Sequence, residues 1–273
     1  MTPDEIEAAA RDLLTAEAEG RQIGLLSLRH KGMTIDDAYA VQAALMREKL
    51  AAGRRIVGWK IGLTSRAMQQ ALGIETPDSG VLFDDMVFES GATVPEGRFI
   101  QPRVEAEIAF VMGRELPVGE VSRDAVLAAT DYVTPALEIL DTRILRADPA
   151  TGTARIIVDT VSDNAANAGI VTGDARHDPG AVDLRWTGAI VRRDGVVEET
   201  GLGAGVLDDP VKGIQWLAAR MGKYGQRIEA GQVLLSGSFI RPLECPPGCR
   251  IEADFGDFGQ VSVSFGGGAA PLI

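Results

Sequence analysis

The sequence predicts an α+β fold in two unequal parts: a helical N-terminal region with a first strand over residues 1–75, and a β-rich metal-binding domain over 76–273. Three observations predict it. Ala, Leu and Glu recur at helical spacing near the N-terminus, the texture changes near residue 76 to short apolar runs broken by turn residues, and two hairpin patterns follow in the second half.

Asp4 to about Glu19 reads as the first helix. A second begins at Thr34, where Thr34-Ile35-Asp36-Asp37 has the form of a capping box, and Ile35, Ala38, Val41 and Leu45 follow at helical spacing. Gly53 ends it, and Arg54 to Leu63 reads as a strand carrying Lys60. Pro77-Asp78-Ser79-Gly80 has the composition of a turn before Val81-Leu82-Phe83. Val104 to Met112 reads as a strand, and Ser122 to Val133 as a helix capped by Ser122. Arg143 to Ile170 is long and weakly patterned, which suits a functional loop or a disordered one. Thr187–Arg193 and Val196–Thr200 flank Asp194-Gly195, a pair that tolerates a type I′ turn. Asp209-Pro210 opens a helix with Ile214, Leu217 and Met221 on its apolar face. Gln232 to Leu235 is a further strand, Arg250–Asp254 and Gln260–Phe265 form a second hairpin, and residues 266–270 read as a frayed tail.

Composition narrows the function. With 45% hydrophobic and 24% charged residues the chain is an ordinary globular one, long enough at 273 residues to bury a full core. Its net charge of −12 argues against nucleic acid or an anionic membrane as partner. No apolar run approaches the roughly 18 residues of a membrane span, and Met1-Thr2-Pro3-Asp4-Glu5 is acidic where a secretory signal is basic, so a cytoplasmic location is expected. Cys245 and Cys249 lack the further ligands of a tetrahedral zinc site and read as two reduced thiols flanking a turn.

The chemistry centres on a lysine and three carboxylates. Glu105 and Glu107 sit two apart, so on a strand both leave one face, and two adjacent like charges call for a cation. With Glu138 the set offers three hard oxygen donors, suited to Mg²⁺ or Mn²⁺. Taken singly, each glutamate fits a solvated surface more readily. Lys60, between Trp59 and Ile61, reads either as a buried amine with lowered proton affinity or as a snorkelling lysine. Gly201-Leu202-Gly203-Ala204-Gly205 lacks dinucleotide-fingerprint spacing, and Ser236-Gly237-Ser238 lacks the nucleophile-elbow pattern. That glycine turn is better suited to offering backbone N–H groups to a substrate carboxylate.

Taken together, Met33-Thr34-Ile35-Asp36-Asp37-Ala38-Tyr39, Lys60-Ile61-Gly62-Leu63-Thr64-Ser65, Pro77-Asp78, Asp84-Asp85-Met86, Arg98-Phe99-Ile100-Gln101-Pro102-Arg103, Pro135-Ala136-Leu137-Glu138, the run from Ser162 to Gly169, and Gly237-Ser238-Phe239 span nearly the whole chain. In them the sequence resembles the hydratase and decarboxylase branch of the fumarylacetoacetate hydrolase superfamily. The resemblance implies a mixed β-sheet roll with a helical N-terminal region, Mg²⁺ or Mn²⁺ on Glu105, Glu107 and Glu138, and a homo-oligomer. The expected reaction is hydration of a 2-hydroxy-2,4-dienoate or heptenedioate-type 2-oxo acid to a 4-hydroxy-2-oxo acid in aromatic catabolism. Lys60 would move a proton, with Asp78 and Ser162 contacting substrate or positioning water. The rivals are 4-oxalocrotonate-type decarboxylation, hydrolysis of an acylpyruvate, and a non-catalytic subunit paired with a decarboxylase. The superfamily's hydrolases commonly use an aspartate as third ligand and a histidine-assisted water, whereas here the third candidate is Glu138 and His30 and His177 lie outside the matching motifs.

Overall fold

The computed structural model describes residues 1–66, 69 and 76–267. The expected boundary at 75/76 and the expected tail from residue 268 onward lie outside the described residues.

Helix α1 spans Pro3–Glu19, started by a capping box between Thr2 and Glu5 and closed at Gly20. A single turn, α2 (Leu26–Arg29), precedes α3 (Ile35–Ala51), whose capping box between Thr34 and Asp37 forms as expected. Ala38, Val41 and Leu45 are buried on α3, whereas Ile35, at its first position, is exposed. Gln42 anchors α3 to the sheet, its amide donating to the carbonyls of Ser79 and Val161 at 2.8 and 3.1 Å.

The strands are β1 (Ile56–Gly62), β2 (Asp78–Phe83), β3 (Val87–Glu89), β4 (Thr93–Val94), β5 (Arg103–Met112), β6 (Thr130–Leu140), β7 (Asn167–Thr172), β8 (Gly188–Arg193), β9 (Val196–Leu202), β10 (Val233–Leu235), β11 (Leu243–Glu244), β12 (Arg250–Asp254) and β13 (Gln260–Phe265). Helices α4 (Arg123–Ala129), α5 (Ile157–Ser162) and α6 (Pro210–Lys223) complete the fold. The larger sheet runs β2-β1-β10-β5-β6-β7-β3 with β11 beside β5, and the smaller runs β4-β13-β12-β8-β9. Each mixes parallel and antiparallel pairs, as in the parallel β1–β10 and antiparallel β5–β6 ladders. One apolar cluster joins Leu13 and Leu45 of the helices to Ile108 and Leu137 of the larger sheet and Val191 and Val263 of the smaller. No helix among the described residues is long and apolar enough to cross a membrane.

Three expectations are corrected. Asp78, Ser79 and Gly80 are not a turn but the start of β2, paired with Gly62, Ile61 and Lys60 and buried. Gly80 serves close packing: a Cβ there would lie 2.5 Å from the carbonyl oxygen of Asn164. The helix expected from Ser122 to Val133 stops at Ala129, because residues from Thr130 onward are claimed by the ladder with β5. The segment 143–170 is not a long loop. It contains α5, a left-handed run at Asn164, Ala165 and Ala166 (φ 51, 52 and 62°) and the start of β7. Asn164 stabilises that run by pairing its side-chain amide with both backbone groups of Val81, at 2.8 and 2.9 Å. These long-range bonds leave no periodic trace in sequence.

The hairpin at Asp194-Gly195 forms with φ 52 and 82°, the signs of a type I′ turn. Asp209 caps α6 by accepting from the Val211 N–H, and Ile214, Leu217 and Met221 are fully buried. Cys245 and Cys249 are buried and unbridged.

Candidate metal centre

Strands β5 and β6 build the centre. Glu105 lies directly opposite Glu138 in their ladder, and Glu107 follows two residues along on the same face. One carboxylate oxygen from each of the three can be chosen so that all lie within 4.8 Å of one another. Glu107 and Glu138 are completely buried.

Strand β1 brings the cation. Lys60 is 3% exposed, and its Nζ lies 3.3 Å from Glu138 Oε1. Strand β10 ends at Leu235, and the turn that follows places the Gly237 N–H 2.7 Å from Glu107 Oε2. Gly237 has φ 113°, and a Cβ there would lie 2.2 Å from Thr64 Oγ1, so the turn needs glycine both for conformation and for space. Asp78, diagonal to Lys60 across the β1–β2 ladder, is 3% exposed.

The electrostatics are those of an over-crowded anionic site. Burial, then the charge of Glu138, pushes Glu105 up to about 8. Burial and the same neighbour raise Glu107 well above the carboxylate range, and burial also raises Glu138 and Asp78 against the pull of Lys60. Burial alone would strip the proton from Lys60. The charges of Glu138, Asp78, Glu105 and Glu107 outweigh it and hold the ammonium above the usual lysine range. Burial to 3% exposure rules out the snorkelling lysine with a wet ammonium.

The donor set fits a divalent cation. Glu107 Oε1 and Glu138 Oε2 are buried with no hydrogen-bond partner, and Glu138 Oε1 has only its 3.3 Å contact with Lys60, an arrangement that is costly unless a cation satisfies them. The donors are carboxylate oxygens, with no His or Cys in the cluster, which favours a hard ion.

A cavity of about 220 Å³ borders the cluster at Glu105 and is lined also by Lys60, Asp78, Arg103, Arg155 and Thr160 among others. Ser162 is not among its lining residues: it is fully buried in α5, and its hydroxyl donates to the Val158 carbonyl at 2.8 Å. The Gly237 N–H, expected to face substrate, is used by Glu107. Ser238 lines the cavity, with its hydroxyl 2.9 Å from the Ile240 carbonyl. Sequence reasoning missed Arg155 and Thr160 because they lie in the segment without periodicity. The only available signal was a basic residue just ahead of an apolar run.

Comparison with known proteins places these features in context. No family model matches the chain. It is 46% identical over 256 residues to the 2-oxo-hept-4-ene-1,7-dioate hydratase of Escherichia coli, covering 94% of this chain and 96% of that protein. It is 40% identical to the 2-keto-4-pentenoate hydratase of Paraburkholderia xenovorans, covering 97% and 96%. Among solved structures, 4-oxalocrotonate decarboxylase from Pseudomonas putida G7, complexed with magnesium and adipate, superposes with a TM-score of 0.90 at 33% identity, covering 97% and 98% of the two chains.

Proposed function

This chain belongs to the hydratase and decarboxylase branch of the fumarylacetoacetate hydrolase superfamily, and we propose that it is a divalent-metal-dependent hydro-lyase that adds water to a 2-hydroxy-2,4-dienoate to give a 4-hydroxy-2-oxo acid. The observation that carries the reading is the set of orphaned, buried carboxylate oxygens on Glu107 and Glu138 beside a charged Lys60.

Glu105, Glu107 and Glu138 would hold Mg²⁺ or Mn²⁺, and the ion when bound supplies Lewis acidity for a 2-oxo group and its neighbouring carboxylate. Lys60 provides the mobile proton. Held as an ammonium, it donates a proton to C5 of the dienol, and the 2-hydroxyl proton returns to the amine as the conjugated 2-oxo-3-enoate forms. Asp78, which lines the same cavity, orients that ammonium by its charge and positions the water, whose hydroxyl ends on C4 and whose proton ends on C3. Glu107 is fixed by the Gly237 N–H, which limits its rotation.

The test follows loss of dienoate absorbance with and without a chelator and identifies the product by mass. A product heavier than substrate by one water, formed only with the ion, is expected. Release of carbon dioxide from a vinylogous 2-oxo diacid would instead identify decarboxylation, the activity named for relatives 33% identical to this chain. Assembly as a cytoplasmic homo-oligomer, with or without a decarboxylase partner, accompanies this proposal. Exposed Trp186, Val196 and Val197 around the β8–β9 hairpin support a copy-to-copy contact, and the mass in solution checks it.

A further inference from the structure

Arg103 and Arg155 both line the cavity, and neither forms an ion pair among the described residues. Their own neighbourhood does not neutralise them. The acids around Arg103 are Glu244, Glu105 and Asp141, but Glu244, opposite it on β11, is taken by Arg146 at 2.6 Å and Asp141 accepts the backbone N–H groups of Ile100 and Gln101 at 2.8 Å. Glu105 lies one strand repeat along β5 and belongs to the carboxylate cluster. The acid nearest Arg155 is Asp163, which is bound bidentately by Arg143 through its backbone and side chain. Among the described residues the Arg155 guanidinium donates only to the Ile144 carbonyl, at 3.3 Å. Arg103 Nε is buried with no hydrogen-bond partner. A third arginine, Arg241, reaches the same cavity but is paired with Glu199 at 2.5 Å.

The cavity is therefore bipolar. Lys60, Asp78 and Glu105 form one pole, and on the same face of β5, two residues from Glu105 and so about 7 Å along the strand, Arg103 begins the other. Two partly buried guanidiniums without a counter-ion are an anion site, and the planar donor fork of arginine matches a carboxylate. A monoacid would spend its only carboxylate at the metal pole and leave both arginines unpaired.

Resting on the hydratase reading, we infer that Arg155 and Arg103 form a subsite for a second, distal carboxylate, so that the substrate is a diacid of heptenedioate length and not a short monoacid. Arg155 is the discriminating residue, because it comes from the α5 approach and has no part in the carboxylate cluster.

The experiment measures kcat/KM of the metal-loaded enzyme on 2-hydroxyhepta-2,4-diene-1,7-dioate and on 2-hydroxypenta-2,4-dienoate. Arg155→Gln is expected to lower the diacid value by about 30-fold or more, chiefly through KM, as for loss of one partner of a desolvated charge pair, while the monoacid value stays within about 3-fold. Arg155→Lys should recover part of the diacid preference. Equal losses on both substrates, or no loss on either, would overturn the subsite. A second readout needs no turnover: adipate should raise the melting temperature of the wild type more than hexanoate does, and Arg155→Gln should erase that difference. Wild type that hydrates both dienoates without preferring the diacid removes the subsite and leaves the hydratase reading intact. Wild type that hydrates neither, yet keeps an Arg155-dependent adipate shift, removes the reaction and leaves the diacid subsite.

Discussion

Glu105 and Glu138 face each other directly across the β5–β6 ladder, a cross-strand pairing of like charges that is unfavourable by itself. Lys60 offsets part of that repulsion from 3.3 Å at Glu138 Oε1, and Glu107 Oε1 and Glu138 Oε2 remain for a cation to satisfy. The pairing fixes where the chemistry must lie, and consequences follow for mutation, pH and packing.

Replacing Glu107 by Gln removes one charge and one hard donor while keeping the side chain's shape. Metal-dependent turnover should fall about 100-fold or more, on the scale seen when one electrostatic stabiliser is lost, with metal affinity falling in parallel. Full metal-dependent activity in E107Q would show that the ligand set is wrong.

Lys60→Met should leave its partner charges buried without compensation. In metal-free protein this should cost about 3–5 kcal/mol of stability, read from a denaturant midpoint. Turnover should drop by about 100-fold or more for loss of the proton-carrying group. Near-normal kcat in K60M would place the mobile proton elsewhere.

Stability without metal should depend on pH in one direction. Glu105 is raised from 4.5 to about 8 in the fold, so its contribution is fully present below 4.5 and is lost as pH rises through about 8. Glu107 and Glu138 are shifted the same way. Lys60 stays charged throughout that window, since its folded value is raised above 10.5. The melting temperature of chelator-treated protein should therefore fall between those limits, and saturating Mg²⁺ should remove the fall. A chelated protein that becomes more stable as pH rises would contradict the cluster's electrostatics.

Gly237→Ala should destabilise the turn after β10 by about 1–3 kcal/mol, from a left-handed φ and a Cβ aimed at Thr64. It should also loosen Glu107, which loses its 2.7 Å donor. A metal titration by calorimetry should show weaker binding even where the variant remains folded.

Asn164→Ala removes both hydrogen bonds to Val81 and leaves two buried backbone groups unpaired. A cost of about 2–4 kcal/mol is expected, with loss of the cavity wall at Ala165 and Ala166. Thermal unfolding measures the first effect and KM the second.

What the sequence by itself determined is local. The caps at Thr34 and Asp209, the Asp194-Gly195 hairpin and the shared face of Glu105 and Glu107 each depend on residues a few positions apart, where backbone geometry leaves a periodic or positional trace. The resemblance across the whole chain supplied Glu138 and Lys60 as companions, but no spacing rule could bring them there. Tertiary structure decided the rest. The β5–β6 register set Glu138 against Glu105, and packing converted the apparent turn at Asp78 into a buried strand. The summed field of four carboxylates kept Lys60 protonated against its burial, and the folding of residues 143–170 delivered Arg155 to the cavity. Pairing register and Coulomb sums depend on distances between residues remote in sequence, and those distances exist only once the chain has folded.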